Sequence, residues 1–255
     1  MSLIGEGEGW VLHCGDFRDV LPAIIAEHGE PDVVIADPPY EETSLVWDRW
    51  PVGWPARIPG RSMWCFGSLR MLLERRDEFA SWQLSHDVVA DEEVVVTWEK
   101  HNGTGFVTDR FRRVHEFVTH WYRGRWSEIY HQTPRVPKTH DLDKSVHRVA
   151  HPSHTGAIRS GSRYVDDGLR LARSVSKAPS VRGGINRTEK PVEVLEQLIV
   201  YGCRPGGWVF DPFAGSGSTL VAARNLGLRA IGVEISPDMC ARAAERLSTS
   251  EEKTA

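Results

Sequence analysis

The fold of this 255-residue chain is decided by one stretch near its carboxyl end, Asp211-Pro212-Phe213-Ala214-Gly215-Ser216-Gly217-Ser218-Thr219. A short apolar run precedes it at residues 207–210, and a helix-patterned segment follows at residues 218–226. This order predicts a strand, a tight turn and a helix. Gly215 and Gly217 can adopt positive φ and let the backbone approach a ligand closely, while the helix start turns free N–H groups toward that ligand. A small polar ligand is expected above the turn.

A second strand pattern, residues 228–233, ends at Glu234, about 20 residues beyond the glycines. A nucleoside-binding β-α-β unit commonly places there the carboxylate that holds the ribose hydroxyls. Ser236 and Pro237 then open another helix as N-cap and first-turn residues. No Lys-Ser or Lys-Thr pair follows the glycines, which excludes a P-loop, and Leu220 occupies the third glycine position of the dinucleotide fingerprint. A nucleoside without a pyrophosphate therefore fits better than a nicotinamide cofactor.

Another motif, Asp37-Pro38-Pro39-Tyr40, begins where the buried-strand pattern of residues 31–36 stops. Ligands of an open α/β sheet bind outside the carboxyl ends of its strands, so this motif should face the same crevice as the glycines. The two prolines stiffen the segment and leave its carbonyls free to accept hydrogen bonds. Tyr40 offers a flat face on which an extruded base can stack.

These residue types suit the activation of an exocyclic amino group. The amino group of adenine or cytosine is a poor nucleophile because its lone pair is conjugated with the ring. Acceptors from Asp37 and the Pro38 carbonyl, aimed at the two amino hydrogens, would localise that lone pair on nitrogen. Alone, the tetrapeptide could equally be a rigid turn whose tyrosine caps the core, because four-residue motifs carry a real false-positive risk. Its pairing with the glycine turn favours the functional interpretation.

Taken together and in this order, the two motifs resemble those of the DNA amino-methyltransferases that modify adenine N6 or cytosine N4, in the circularly permuted arrangement called the β group. Other segments extend the resemblance over most of the chain. Gly15-Asp16 stands where the family has an acid near the cofactor adenine. Residues 98–102 and 115–117 resemble later segments of the catalytic part. Thr188-Glu189-Lys190-Pro191 resembles the segment that helps hold the methionine end of the cofactor.

The resemblance implies S-adenosylmethionine as methyl donor, double-stranded DNA as partner, and an α/β fold with a Rossmann-like seven-stranded methyltransferase sheet. It divides the chain into a catalytic half at residues 1–122, an inserted target-recognition region at 123–185, and a cofactor-binding half at 186–255. The catalytic residues that it implies are Asp37, Pro38, Pro39 and Tyr40. The cofactor-binding residues that it implies are Asp16, Asp37, Lys190, Asp211, Phe213, Gly215, Ser216, Gly217, Ser218, Thr219 and Glu234.

The resemblance also bears on the target base. Cytosine N4 enzymes more often carry Ser at the position of Asp37, which favours adenine N6. Enzymes that methylate carbon 5 of cytosine use a Cys that follows Pro, and this chain has no Pro-Cys pair. The alternatives are a cytosine N4 or RNA base amino-methyltransferase, and a non-catalytic subunit that docks nucleic acid. Intact Asp37, Tyr40, Gly215 and Glu234 argue against the non-catalytic subunit.

The charge of the chain is unevenly distributed. The formal net charge is -4, yet basic residues outnumber acidic ones between residues 123 and 190. A local basic patch is what backbone phosphates require, whatever the total charge. The stretch has no sustained apolar period, which predicts loops and short helices. Most of its basic residues should position a duplex, and Arg159, Arg163 and Arg182 are candidates by type for contacts with base edges.

Length and composition fit one domain with an insert, since 40% of the residues are hydrophobic. No apolar run of about 18 residues and no signal-peptide pattern occurs, so a cytoplasmic protein without a membrane partner is expected. The four cysteines are widely spaced, which predicts neither a disulfide framework nor a zinc ribbon. His147, His151 and His154 lack a nearby cysteine, and we assign no metal. Members of the family often pair, which leaves a homodimer open.

Overall fold

The fold is taken from a computed structural model, which describes residues 2–85, 95–104, 109, 111–138, 167–181, 183–186 and 188–252. The base-contact candidates Arg159, Arg163 and Arg182 lie outside the described residues, as do the three histidines considered for a metal.

The described residues form twelve strands and six α-helices. The strands are β1 Ser2–Gly7, β2 Trp10–Cys14, β3 Val33–Ala36, β4 Ser62–Gly67, β5 Gln83–Leu84, β6 Val95–Thr104, β7 Arg113–Tyr122, β8 Arg135–Pro137, β9 Leu169–Leu171, β10 Val175–Lys177, β11 Trp208–Asp211 and β12 Arg229–Glu234. The helices are α1 Phe17–His28, α2 Trp54–Arg57, α3 Leu69–Glu74, α4 Val192–Gly202, α5 Ser218–Asn225 and α6 Pro237–Glu252.

One sheet carries most of these strands, in the order β1-β2-β12-β11-β3-β4-β7-β6-β10, with β5 paired to β7. The run from β2 through β12, β11 and β3 to β4 is parallel. Strand β7 is antiparallel to both of its neighbours in that order, β4 and β6. The predicted α/β fold with a mostly parallel central sheet is therefore confirmed.

The described sheet has ten strands, whereas seven were expected. Seven consecutive strands of the spatial order, β2-β12-β11-β3-β4-β7-β6, make up its middle. Strand β1 adds a hairpin partner to β2, β10 pairs with the far edge of β6, and β5 pairs with β7. Strands β5 and β10 have two and three residues, and segments so short show little periodicity in a sequence.

Helices cover both faces of the sheet because the central strands carry apolar side chains on both faces. In β3, Val33 and Ile35 face one core cluster, while Val34 and Ala36 face the other, as the alternation of side chains along a strand requires. The first cluster includes apolar residues of α4, α5 and α6. The second includes residues of α1, α2 and α3. The result is a doubly wound arrangement of three layers.

The contacts within the chain define two compact units, Met1–Gln132 with Arg173–Ala255, and Thr133–Ala172. The larger unit carries the sheet. In the smaller unit, β8 pairs with β9, and Arg135 forms an ion pair of 2.5 Å with Asp167. The smaller unit is shorter than the expected insert at residues 123–185, since β10 belongs to the main sheet. Its role in target recognition stays a prediction.

One helix of the larger unit is shorter than the apolar pattern of its residues indicates. Residues 68–79 have a helical pattern, but α3 ends at Glu74 and a 3-10 turn spans Arg76–Phe79. In this turn the Glu78 carboxylate accepts hydrogen bonds of 2.7 Å from Trp50 Nε1 and from Gly53 N. The turn therefore anchors the loop that follows the early tetrapeptide.

Candidate active site

Five parallel strands bring their carboxyl ends to one edge of the sheet. The segments that follow β2, β12, β11 and β3 there begin with Gly15, Ile235, Pro212 and Asp37. Strands β3 and β11 are direct neighbours, with Val34 opposite Phe210. The tetrapeptide and the glycine turn, although far apart in sequence, therefore leave adjacent strands at the same edge.

The Asp37 carboxylate has a donor on each of its oxygens. The Tyr40 hydroxyl donates to Oδ1 at 2.8 Å, and the Lys190 ammonium donates to Oδ2 at 2.5 Å. The resemblance placed Lys190 at the methionine end of the cofactor, whereas in the structure its ammonium binds the Asp37 carboxylate. A contact of Lys190 with the cofactor stays a prediction.

Lys190 has apolar and acidic surroundings. Its side chain is 9% exposed, and its Nζ lies 5.2 Å from the centre of the Phe66 ring and 6.0 Å from that of Tyr40. A second carboxylate, Glu116 Oε2, is 3.5 Å away. The Lys100 ammonium forms an ion pair with the other oxygen of Glu116. Two cations and two carboxylates thus meet beside the tetrapeptide.

Burial and neighbouring charges shift the pKa values of these groups. Burial raises the pKa of Asp37, and the Glu116 charge adds to this, although the Lys190 ammonium acts in the opposite direction. Burial opposes charge on Lys190, yet Asp37 and Glu116 together raise its pKa. Burial, followed by the Asp37 charge, raises the pKa of Tyr40 well above its usual range. Tyr40 is therefore a neutral phenol whose hydroxyl donates a hydrogen bond to the Asp37 carboxylate.

The glycine turn has the geometry expected from the sequence. Gly215 has φ of 51° and Gly217 has φ of 77°, both in the left-handed region that other residues rarely adopt. Gly217 N donates to Ala214 O at 2.8 Å, which closes the turn, and α5 begins at the next residue. A Cβ at Gly217 would lie 3.3 Å from Leu247 Cδ1. The turn therefore has little room for a side chain at this position.

Glu234 lies at the end of β12 and reaches the glycine turn. Its Oε2 accepts from Gly215 N at 2.9 Å, and its Oε1 accepts from Ser236 N at 2.8 Å. These bonds hold the carboxylate at the edge of the sheet where the expected ligand would lie. A carboxylate has about four acceptor sites, so both oxygens can still accept from ribose hydroxyls.

Two other expected cofactor residues have partners within their own turns. Asp16 caps α1 by accepting from Arg18 N at 2.9 Å, and its carboxylate also pairs with the Arg18 guanidinium. Gly15 N, one residue earlier, donates to Glu234 O at 2.9 Å, which places this turn beside β12. Asp211 accepts from Phe213 N at 2.9 Å, and burial raises its pKa to about 7. Their contacts with a cofactor stay predictions.

The remaining expected residues line or support the same turn. The Phe213 ring packs edge-on against Phe17 at 5.6 Å and Trp54 at 5.2 Å between ring centres. Thr219 is buried, and its side chain opposes the rise that burial causes in the pKa of the Asp211 carboxyl.

Arg246 is an element of the site that the sequence did not indicate. This residue of α6 donates from Nη1 to Ser216 O at 3.1 Å and to Ser218 Oγ at 3.2 Å. The same nitrogen lies 2.7 Å from Glu189 Oε1, and Glu189 Oε2 accepts from Ile185 N at 3.2 Å. Arg246 therefore ties the glycine turn to the segment before α4. No local pattern distinguishes it from the other polar residues of α6.

The start of the loop after Tyr40 is held by the Asp48 carboxylate. Asp48 accepts from the backbone N–H groups of Glu41, Glu42 and Thr43 at 2.7–3.0 Å. Trp50 is buried, whereas Trp47 at the tip of the loop is 59% exposed. The chain therefore leaves the tetrapeptide through an ordered turn.

The fold and the site define a doubly wound α/β protein in which a nucleoside-type turn and an Asp-Pro-Pro-Tyr segment share one sheet edge. A family described as DNA methylase, which covers N6 and N4 methyltransferases, matches residues 32–245. The chain belongs to this family of N6/N4 DNA methylases, as the sequence motifs predicted.

Individual relatives agree with this assignment. Type II methyltransferase M1.MboII of Moraxella bovis is 22% identical over 89% of this chain and 91% of its own length. Type II methyltransferase M2.DpnII of Streptococcus pneumoniae is 35% identical over 31% of this chain and 30% of its own length.

Solved structures share the fold. The M1.HpyAVI-SAM complex has a TM-score of 0.60 and 20% identity, and the match covers 93% of this chain and 99% of that one. The PvuII DNA methyltransferase, which is cytosine-N4-specific, has a TM-score of 0.61 and 14% identity over 96% of this chain and 88% of that one. At these identities the likeness shows the fold alone.

Two further observations concern the described residues only. They contain no group of three or more His, Cys, Asp or Glu side chains that could hold a metal ion. None of the helices among them is both long and apolar enough to cross a membrane.

Proposed function

We propose that this chain is a site-specific DNA methyltransferase that transfers a methyl group from S-adenosylmethionine to the N6 amino group of an extruded adenine. The observation that carries the proposal is the Asp37 carboxylate, held by Tyr40 and Lys190 at the end of the strand next to the one that leads into the glycine turn. Membership of the N6/N4 family and type II methyltransferase relatives support a role in DNA modification of the restriction-modification kind.

The residues at the sheet edge fit S-adenosylmethionine. Gly215 and Gly217 provide close backbone approach and a helix start, and Glu234 provides an oriented carboxylate for the ribose. The other cofactor contacts proposed are those of Asp16, Lys190 and the turn residues 211–219. When bound, S-adenosylmethionine would supply an electrophilic methyl group on a sulfonium sulfur. The M1.HpyAVI structure, a complex with this donor, supports the assignment.

The early tetrapeptide would prepare the base to react. The target nucleotide has to leave the duplex stack, and the Tyr40 ring gives the extruded base a surface to stack on. The Asp37 carboxylate and the Pro38 carbonyl accept from the amino group and favour the pyramidal nitrogen that can attack. If the amino nitrogen took up the methyl group, the methyl–sulfur bond would break and the donor would leave as a neutral thioether. The Asp37 carboxylate would stabilise the positive charge that develops on nitrogen, until the nitrogen loses one of its protons to water. No covalent link to the protein is required.

The proposal also assigns a role to each of three parts of the chain. Residues 1–122 would form the catalytic half and residues 186–255 the cofactor-binding half, with target recognition between them at residues 123–185. Cytosine N4 is the second candidate target, and the cytosine-N4-specific PvuII enzyme among the structural neighbours favours keeping it. Asp37, where cytosine N4 enzymes more often have Ser, is the reason for preferring adenine.

The test of the proposed function is a transfer assay with the full chain. The purified protein is incubated with S-adenosylmethionine labelled in the methyl group and with unmodified duplex DNA, and the DNA is digested to nucleosides. We expect label in N6-methyldeoxyadenosine. Label in N4-methyldeoxycytidine would instead support the second candidate, and label in RNA but not in DNA would support an RNA enzyme. Binding of the donor without transfer to any nucleic acid would support a docking subunit and overturn the proposal.

A Glu234→Ala substitution tests the cofactor site separately. Loss of hydrogen bonds to a carboxylate costs about 2 kcal/mol, so the dissociation constant for S-adenosylmethionine should rise about 30-fold. The rate at saturating donor should change little, because Asp37 and Tyr40 are intact. Isothermal titration and steady-state kinetics measure the two quantities. Glu245→Ala, an exposed carboxyl on α6, is the matched control, and an unchanged affinity in Glu234→Ala would contradict the ribose assignment.

A further inference from the structure

Four ionisable side chains form a charge cluster beside the tetrapeptide, namely Asp37, Lys190, Glu116 and Lys100. Lys190 contacts both carboxylates, at 2.5 Å from Asp37 Oδ2 and 3.5 Å from Glu116 Oε2. Lys100 pairs with the remaining oxygen of Glu116. The cluster has no net charge when all four groups are ionised. Each cation therefore has a carboxylate partner, and Glu116 is shared by both cations.

The outer pair comes from strands β6 and β7, within the two segments that resemble the catalytic part but to which the resemblance assigns no individual site residue. Glu116 on β7 lies opposite Trp98 on β6, so Lys100 is its diagonal neighbour two residues further along. Lys100 Nζ lies 4.6 Å from the centre of the Trp98 ring. The side chains of Lys100 and Glu116 are only 16% and 10% exposed. Burying this pair costs free energy of desolvation, a cost that an ion pair at the protein surface does not have.

The two oxygens of the Glu116 carboxylate have different surroundings, since Oε1 pairs with Lys100 and Oε2 faces Lys190. Its Oε2 is buried and has no hydrogen-bond partner among the described residues. Its nearest cation on that side is the Lys190 ammonium, which is closer to Asp37. Glu116 therefore attracts Lys190 without drawing it away from Asp37. The ammonium is held between two carboxylates in a buried position that it would not adopt alone.

We propose that Glu116, with Lys100 behind it, is a positioning residue for methyl transfer, and that it holds the Lys190 ammonium where this group orients the Asp37 carboxylate. The inference rests on the proposed function. Lys190 takes Oδ2 and Tyr40 takes Oδ1, so the carboxylate plane has two fixed contacts before a base arrives. Glu116 acts on the reaction only through Lys190 and touches neither the base nor the donor.

This arrangement makes the charges of Glu116 and Lys190 act in opposite directions on the pKa of Asp37. The Glu116 charge raises the pKa of Asp37, and the Lys190 charge lowers it. The other titratable groups that interact with Asp37 are the Tyr40 phenol, the Cys65 thiol and the Asp211 carboxyl. Substitutions at Glu116 and Lys190 leave these three in place, so the two variants can be compared directly.

The test uses Glu116→Gln and Lys190→Met in the full chain, with kcat and KM measured from acid to neutral pH. We expect Glu116→Gln to lower kcat about 10- to 100-fold, as misplacement of a reacting group does, with KM for S-adenosylmethionine little changed. The acid limb of its kcat profile should move to lower pH. The acid limb of Lys190→Met should move to higher pH, because Asp37 then lacks its cation.

Glu74→Gln is the matched control, since Glu74 lies at the end of α3 and pairs at the surface with Arg70. It should behave as the parent. A Glu116→Gln protein with the parent's kcat and pH profile overturns the inference. So does a variant whose kcat, donor affinity and thermal midpoint all fall together, because that result shows a purely structural role. Lack of transfer by the parent itself overturns the proposed function and the inference together.

Discussion

Replacing Asp37 with alanine is expected to lower the rate of methyl transfer by at least about 10³-fold, the upper range for the loss of one group that stabilises developing charge. The substitution removes the acceptor for the amino hydrogens and the carboxylate nearest the nitrogen that becomes positive. The affinity for S-adenosylmethionine should stay close to that of the parent. The residues proposed to hold the donor, Gly215, Gly217 and Glu234, lie in the turn after β11 and at the end of β12, whereas Asp37 follows β3. Single-turnover transfer and isothermal titration separate the two effects.

The variant also leaves the buried Lys190 with only one carboxylate, so its folding has to be measured beside its activity. A double variant, Asp37→Asn with Lys190→Met, removes the anion and the cation together and keeps the cluster near charge balance. It should fold and remain inactive. Asp19→Ala, an exposed carboxyl of α1, is the matched control. Normal turnover by Asp37→Ala would refute the assigned role.

The stability of the protein should fall steeply in acid because of one buried histidine. His120 is 0% exposed, and its Nε2 and Nδ1 lie 2.9 Å from Ser62 Oγ and 2.8 Å from Ser85 Oγ. Burial lowers the pKa of His120 to about 3. In the unfolded chain a histidine has its ordinary pKa of about 6.5. The unfolded state therefore binds an extra proton between these two values.

The contribution of His120 is fully present above pH 6.5 and is lost as the pH falls toward 3, to a limit of about 5 kcal/mol. At pH 5 it should lower the free energy of unfolding by about 2 kcal/mol relative to pH 7.5. Urea unfolding of the parent and of His120→Gln across this range measures the effect. Glutamine keeps a polar side chain but does not titrate, so the difference between the two curves isolates His120. Parallel curves would show that the histidine does not carry the acid sensitivity.

Local elements could be predicted where side-chain period and turn residues agree. The strand at residues 208–211, the turn at Gly215 and Gly217 and the helix at 218–225 all follow the pattern. The same is true of β3 and the tetrapeptide after it. Each of these depends on neighbours within about ten residues, for which hydrophobic period and glycine are sufficient signals.

The pairing of distant side chains could not be predicted in the same way. The resemblance assigns Lys190 to the cofactor, whereas its bond to Asp37 joins residues 153 positions apart. Glu116 and Lys100 lie in segments that resemble the catalytic part, but no local signal indicates which side chains they contact. Arg246 carries no local signal at all. These contacts depend on which strands are neighbours, and β7 reaches β4 only because it inserts antiparallel between β4 and β6.

By itself the sequence determined the fold class, the two turns at the carboxyl ends of strands, and the chemistry that their residues suit. It did so because strand, helix and turn preferences are local and because both motifs are short and continuous. Tertiary structure alone decided that Asp37 is clamped by Lys190, that Glu116 and Lys100 stand behind this pair, and that Arg246 braces the glycine turn. The physical reason is that charges meet in a buried cluster through the order of strands in the sheet, and this order is a property of the whole folded chain.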